Sequence, residues 1–178
     1  MPLIAITGTP GTGKTSVSEE LRRRGRRVID LNEHIRDRGL LGERDEERDT
    51  YCVDADGLRE SLSDLAGGEG EAAFAEGHMA HCLDFSAAIV LRCSPRELAA
   101  RLEARGYPPS KVRENVQAEV IDVILCEAAE SGAPVYEIDC TSIGPSAAAD
   151  AIEAILGGDT DKYLPGNVSW LGELEEWF

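Results

Sequence analysis

A chain that places Gly8-Thr9-Pro10-Gly11-Thr12-Gly13-Lys14-Thr15 directly behind the apolar run Leu3-Ile4-Ala5-Ile6 has few folds open to it. The octet satisfies G-x-x-x-x-G-K-[ST] at every fixed position. A strand pattern precedes it and a helical pattern, Ser16 to Arg24, follows. Glycines let such a loop curl so that successive N–H groups converge on an anion. A helix opening near Lys14 adds its unpaired first-turn N–H groups and the positive end of its dipole. In this pattern Lys14 reaches the β- and γ-phosphates of a nucleoside triphosphate, and the Thr15 hydroxyl ligates Mg²⁺. The plainer alternative is a glycine-rich turn that only joins a strand to a helix.

Apolar runs and helical periods alternate along the rest of the chain, which predicts βαβ units and a parallel sheet flanked by helices. Five strands are expected, at about 2–7, 28–30, 72–75, 87–92 and 135–139. Helices are expected over 14–24, 31–38, from a cap at Asp54 or Asp56 to about 66, over 95–105, and over 146–156. Gly67-Gly68 ends the third of these. Ser110 is expected to cap one long helix to Ser131, with Val112, Val116, Val120, Ile121, Ile124 and Leu125 as its apolar stripe. Residues 43–49 read as a charged, mobile loop. The core ends at Gly157-Gly158, so 1–157 form one domain and 158–178 a tail. Trp170, Leu171, Leu174, Trp177 and Phe178 share one helical face of that tail. That face packs on the chain's own core or serves a partner.

At 178 residues, 42% of them hydrophobic, the chain can bury a sizeable core. It has no apolar stretch of membrane-spanning length and no basic leader before the first strand, so a cytoplasmic protein is expected. Five cysteines without a C-x-x-C pair argue against a disulfide framework or a zinc site. His78-Met79-Ala80-His81-Cys82 reads as a polar turn rather than a metal cluster. The net charge of −16, with lysine only at 14, 111 and 162, fits either a halophilic surface or an ordinary acidic protein. It disfavours general nucleic-acid binding, because phosphate backbones would be repelled. Arg22-Arg23-Arg24-Gly25-Arg26-Arg27 either complements a helix C-terminus or makes a local RNA or phosphate contact.

Ligands of an open parallel sheet bind at the carboxyl ends of its strands. Asp30, Glu76-Gly77-His78, Arg92 and Asp139-Cys140-Thr141 fall there beside the glycine loop. Glu76 is a candidate carboxylate for Mg²⁺, and His78 a candidate for positioning the attacking group. Otherwise they are a capping acid and a satisfied histidine. Arg101 and Arg105, one turn apart before Gly106-Tyr107-Pro108-Pro109, either close over a triphosphate or pair with Glu97, Glu103 and Glu114. A phosphate acceptor needs only positive charge, for which Arg36 is placed; a hydroxyl acceptor would need a carboxylate, and Asp30 is the obvious one.

With these residues in view, the chain resembles the adenylate kinase isoenzyme 6 family, also called the coilin-interacting nuclear ATPase family, and especially its archaeal branch. The resemblance rests on Ile6 through Thr15, Asp45-Glu46-Glu47 with Val53-Asp54, Glu76-Gly77-His78 and Val90-Leu91-Arg92. It continues through Arg101-Leu102-Glu103, Arg105-Gly106-Tyr107, Glu114-Asn115-Val116-Gln117 with Glu119, and Glu137-Ile138-Asp139, and so covers about 1–142. It implies an acceptor-binding segment near 30–53 and a short lid near 104–114. It implies the reaction ATP + AMP ⇌ 2 ADP with Mg²⁺, broad acceptor tolerance and slow ATPase activity. By the same likeness Gly11, Gly13, Lys14, Thr15 and Ser16 bind ATP, and Arg105 is the lid arginine. Arg36 matches the acceptor-segment arginine and His78 the histidine of the Walker-B-like motif, whose acid here is Glu76 in place of Asp. It further implies transient contact with a small-subunit ribosomal protein during subunit maturation. A nucleotide-switched assembly ATPase would then use the Arg22–Arg27 cluster and the tail, so that trimming before Trp170 would spare kinase activity.

Overall fold

The computed structural model describes residues 2–45, 50–66 and 72–178. Its centre is a five-stranded parallel sheet in the order β2-β5-β1-β6-β7. These strands are β1 (Leu3–Thr7), β2 (Val28–Asp30), β5 (Ala73–Glu76), β6 (Ala87–Arg92) and β7 (Val135–Asp139). A separate hairpin pairs β3 (Leu41–Asp45) with β4 (Thr50–Val53) in antiparallel register. All of β1 is buried, as a central strand covered on both faces must be.

Side-chain alternation divides β1 between two cores. Leu3 and Ala5 join Val90 and meet Leu31, Leu58 and Leu62, from α2 (Leu31–Asp37) and α3 (Ala55–Ala66). Ile4 and Ile6 join Ile89 and meet Val17, Leu21 and Ile152, from α1 (Lys14–Arg23) and α7 (Pro145–Leu156). A third cluster lies between α4 (Pro95–Ala104) and α5 (Pro109–Val120), where Leu98 and Leu102 face Val112, Val116 and Val120.

The single helix expected over 110–131 is instead two: α5, then α6 (Val123–Glu130). It breaks at Asp122, whose left-handed φ of 57° no helix interior accommodates. Ile121 is therefore exposed rather than part of the apolar stripe. The start also differs, because Pro108 occupies the cap position and Ser110 lies inside the first turn. Within the charged segment 43–49, residues 43–45 belong to a paired strand; 46–49 lie outside the described residues. Asp54 rather than Asp56 caps α3, its Oδ1 accepting from the Gly57 N–H at 3.0 Å. The glycines expected to end α3 lie outside the described residues.

The tail is not one amphipathic helix. It makes a 3-10 turn at Leu171–Glu173 and the short α8 (Leu174–Trp177). Trp177 packs against the α4–α5 cluster, and Gln117 Nε2 donates to the Trp177 carbonyl at 2.8 Å. Leu171 and Phe178 stay exposed. The arginines after α1 largely pair within the chain: Arg24 bonds Glu20 and Asp150, and Arg26 grips Glu153 with two nitrogens.

Arg92, placed among the strand-end ligands on sequence grounds, is a core residue, only 1% exposed. Its Nε donates to Glu119 at 2.8 Å, Nη1 to Glu137 at 2.8 Å, and Nη2 to Asp122. Burial works against its charge, but the carboxylates, Glu119 foremost, outweigh this and hold the guanidinium above its ordinary value. Removing one member of such a network strands the others without counter-charge. Arg92→Ala is expected to lower the unfolding free energy by about 3–5 kcal/mol in urea titrations. Arg24→Ala, whose partners Glu20 and Asp150 lie nearer the surface, should cost much less. Equal small losses would show that the buried network does not hold the fold.

Candidate active site

The loop between β1 and α1 curls as its glycines permit. Gly8, Gly11 and Gly13 have φ of 140°, 98° and 108°. At Gly8 a Cβ would also sit 2.4 Å from the Leu91 carbonyl oxygen, so the position excludes any side chain. Thr12 closes the curl, its N–H and hydroxyl both donating to the Thr9 carbonyl, at 3.2 and 2.9 Å. Lys14 is folded inward, donating to the carbonyls of Gly8 at 2.7 Å and Thr9 at 3.1 Å. Burial lowers its ammonium from 10.5 to about 8, against the pull of Glu76 and Glu119. Thr15 and Ser16 at the head of α1 are exposed and open to a ligand.

Register then sets the acids. Asp30 pairs with Glu76 across β2 and β5 at the carboxyl edge of the sheet. Burial raises the Glu76 carboxyl, and the neighbouring Asp30 adds to the rise, while Lys14 and Arg22 oppose it. Asp30 also caps α2, its Oδ1 accepting from the Glu33 N–H at 3.0 Å. His78 follows in the turn after β5. Partial burial, then the Lys14 ammonium and His81, hold its imidazole below the ordinary histidine range. His81 turns away, linking Thr7 Oγ1 at 3.0 Å to Glu127 at 2.8 Å.

Two cavities flank this edge. One, about 300 Å³, is lined by Gly11, Gly13, Lys14, Thr15, Glu76 and Arg105. The other, about 620 Å³ and mostly apolar, runs between Asp30, Arg36, Ile35, Val53, Leu58 and Met79. Asn32 and His78 line both, so the cavities adjoin there. Arg36 is exposed at the second, donating to the Asn32 carbonyl at 3.1 Å. The two arginines of α4's end part company. Arg105 faces the loop cavity beside Tyr107. Arg101 is engaged elsewhere, donating to Glu97 at 2.8 Å and to the carbonyls of Cys140 and Thr141 at 3.0 Å each. Asp139 accepts from the Thr141 N–H at 2.9 Å and reaches neither cavity lining.

Sequence reasoning gave three contributors no role of their own. Asn32 lines the loop cavity without belonging to any motif, and Tyr107, read only as part of Arg105-Gly106-Tyr107, lines it too. Glu119 accepts from the Thr9 hydroxyl at 2.5 Å across 110 residues, a contact visible only in three dimensions. Converging N–H groups, a buried ammonium and a facing arginine can hold a chain of phosphates. Among the described residues, Thr15 and Glu76 supply hard oxygen donors beside them, a set suited to Mg²⁺.

Comparison with known proteins gives the fold and the family. Shikimate kinase from Acinetobacter baumannii in complex with shikimate superposes with a TM-score of 0.58 over 89% of this chain and 94% of that one, at 17% identity. A gluconokinase from Sinorhizobium meliloti does so at 0.53 over 90% and 94%, also at 17%. At these identities the likeness is one of fold: the chain is an α/β protein of the P-loop NTPase class. A family model described as an AAA domain matches residues 4–122. The "Putative adenylate kinase" of Archaeoglobus fulgidus is 44% identical over 98% of this chain and 94% of that protein. Its namesake in Natronomonas pharaonis is 48% identical over 88% and 90%. The chain belongs to this AAA-domain family and, within it, to the archaeal proteins so named.

The lowered Lys14 value gives a signed pH dependence. The unfolded chain binds the extra proton between about 8 and 10.5, so stability rises with pH across that window and is level below it. Binding of ADP at this loop would have the opposite sign, because the free lysine would have to regain its proton to meet the anion. Affinity measured calorimetrically should be flat below about 8 and fall above it, by about tenfold per pH unit. Lys14→Met should weaken binding and remove the slope. A slope that survives in that variant would assign it to another group.

Proposed function

We propose that the chain is a nucleoside-monophosphate kinase that catalyses ATP + AMP ⇌ 2 ADP, with broad acceptor tolerance and slow ATPase activity. The observation that carries this reading is the pair of adjoining cavities sharing Asn32 and His78, one floored by the glycine loop and the other holding Arg36. A donor phosphate chain in the first would present its terminal phosphoryl group toward an acceptor in the second. The apolar lining of the larger cavity suits a nucleobase, and Arg36 suits the acceptor's phosphate. Such an acceptor is already an anion and needs no general base, so positioning and charge compensation suffice.

Each residue then has a role. Gly11, Gly13, Thr15 and Ser16 present loop and helix N–H groups to the donor phosphates, and Lys14 swings from the Gly8 and Thr9 carbonyls onto them. Arg105 closes from the turn between α4 and α5 to offset charge spread over the transferred group. His78, held neutral, orients the acceptor oxygen by hydrogen bonding. Thr15 and Glu76 would hold Mg²⁺, which supplies charge neutralisation of the phosphate oxygens. In this reading residues near 30–53 form the acceptor segment, 104–114 the lid, and 1–157 the kinase domain. The adenylate kinase isoenzyme 6 branch is the assignment that fits these roles best. An assembly-factor role lacks a comparable observation. Arg24 and Arg26 are engaged with Asp150 and Glu153, and the tail lies against α4 and α5.

One feature favours a second reading: Asp30 lines the acceptor cavity and could serve a hydroxyl acceptor as base. Asp30→Asn separates the two, since it should abolish hydroxyl phosphorylation and largely spare transfer to AMP. The primary test is chromatographic analysis of ATP and Mg²⁺ with AMP, CMP, UMP or GMP. Two ADP for each ATP consumed with AMP is expected. Arg36→Ala should raise the acceptor KM about tenfold or more with little change in the KM for ATP. ATP hydrolysis at one rate whatever the acceptor would sink the kinase reading.

A further inference from the structure

The phosphate loop is tied to the far end of the chain through one buried carboxylate. Glu119 is 3% exposed. Its Oε2 accepts from the Thr9 hydroxyl at 2.5 Å. Its Oε1 accepts from Arg92 Nε at 2.8 Å, from the Cys93 N–H at 3.2 Å and from the Trp170 indole N–H at 3.3 Å. Thr9 is itself 2% exposed, and its carbonyl receives both Thr12 and the Lys14 ammonium. The same tail is pinned a second time, where the Val168 N–H donates to Glu137 at 2.8 Å. Glu137 is another of the three carboxylates on Arg92.

We propose that Glu119 is a positioning residue for nucleotide binding, and that the docked tail, through the Trp170 indole, sets the carboxylate that holds the phosphate loop in its anion-binding curl. The proposal rests on the reading of that loop as a nucleotide site. Its physical content is geometric. A carboxylate oxygen has a limited number of acceptor directions. With Oε1 fixed by three donors, Oε2 is aimed at one place, and Thr9 is held there. Thr9 in turn fixes the carbonyl from which Lys14 must depart when phosphate arrives. Loss of the Thr9–Glu119 bond leaves the loop's backbone free to relax out of register with the anion. The tail is thereby part of the transfer machinery, which reverses the expectation that cutting before Trp170 spares activity. Glu119 and Thr9 need not touch the nucleotide for this.

The test is equilibrium binding of Mg-ADP to full-length protein by calorimetry, together with KM and kcat for ATP. Thr9→Val should raise the dissociation constant about tenfold, the loss of one charge-assisted hydrogen bond. It should raise the KM for ATP in parallel and leave the acceptor KM near that of the parent. Thr9→Ser, which keeps the hydroxyl, should restore binding to within about twofold. Trp170→Phe should weaken binding in the same direction and add nothing further in the Thr9→Val background, since both act through Glu119. Binding by Thr9→Val within twofold of the parent would overturn the proposal. So would multiplicative effects of the two substitutions, or failure of Thr9→Ser to rescue. If Thr9→Val does not fold, Trp170→Phe alone decides, because the half-buried indole can lose its N–H without opening the core. The parent's own behaviour keeps the two readings apart. A parent that binds Mg-ADP but transfers no phosphoryl group defeats the kinase assignment and leaves the linkage testable.

Discussion

One charge in the wrong place for a protein interior organises this molecule. The Arg92 guanidinium lies at the end of a central strand, where desolvation alone would make it intolerable. It persists because three carboxylates from three places are brought to it: Glu119 from α5, Asp122 from the break after it, and Glu137 from β7. The cost of leaving any one unpaired is what gives the network its hold on the fold. The left-handed Asp122 is the visible consequence, since an uninterrupted helix would not deliver its carboxylate there. The tail and the phosphate loop are attached to the same network, at Glu137 and Glu119 respectively.

Charge is distributed with a corresponding economy around the two cavities. The chain carries a net charge of −16, yet Lys14, Arg36 and Arg105 line the cavities at the sheet edge. Elsewhere many arginines are neutralised by near neighbours, as Arg24 and Arg26 are along α7. An anion reaching the loop cavity therefore meets Lys14 and Arg105 together. Burial, with the charge of Asp30 beside it, raises the Glu76 carboxyl, and a cation arriving at this edge would favour its charged form.

Much of this was legible in order along the chain. The strand, loop and helix at the start are local, and each is written in period-2 or period-3.6 spacing. So are β6 and the proline-led start of α4. The split of the helix over 110–131 was not legible, because Asp122 looks like any exposed helical residue until Arg92 is seen beside it. Arg92 and Arg101 look like ligands in sequence. They differ from Arg105 only in which acids and carbonyls the fold sets near them. The aromatic tail suggested one helical face, whereas contacts with Gln117, Glu119 and the α4–α5 cluster shaped it into short turns.

The sequence by itself determined the glycine loop, its lysine and threonine, and the alternation that makes a parallel sheet. These depend on backbone freedom and periodicity, which are properties of neighbouring residues. Only the tertiary structure decided the strand order, the meeting of Asp30 with Glu76, the two adjoining cavities, and the reach of Glu119 to Thr9. Those depend on register and on the pairing of buried charge between residues far apart in the chain. No local pattern encodes which distant carboxylate will satisfy which buried cation.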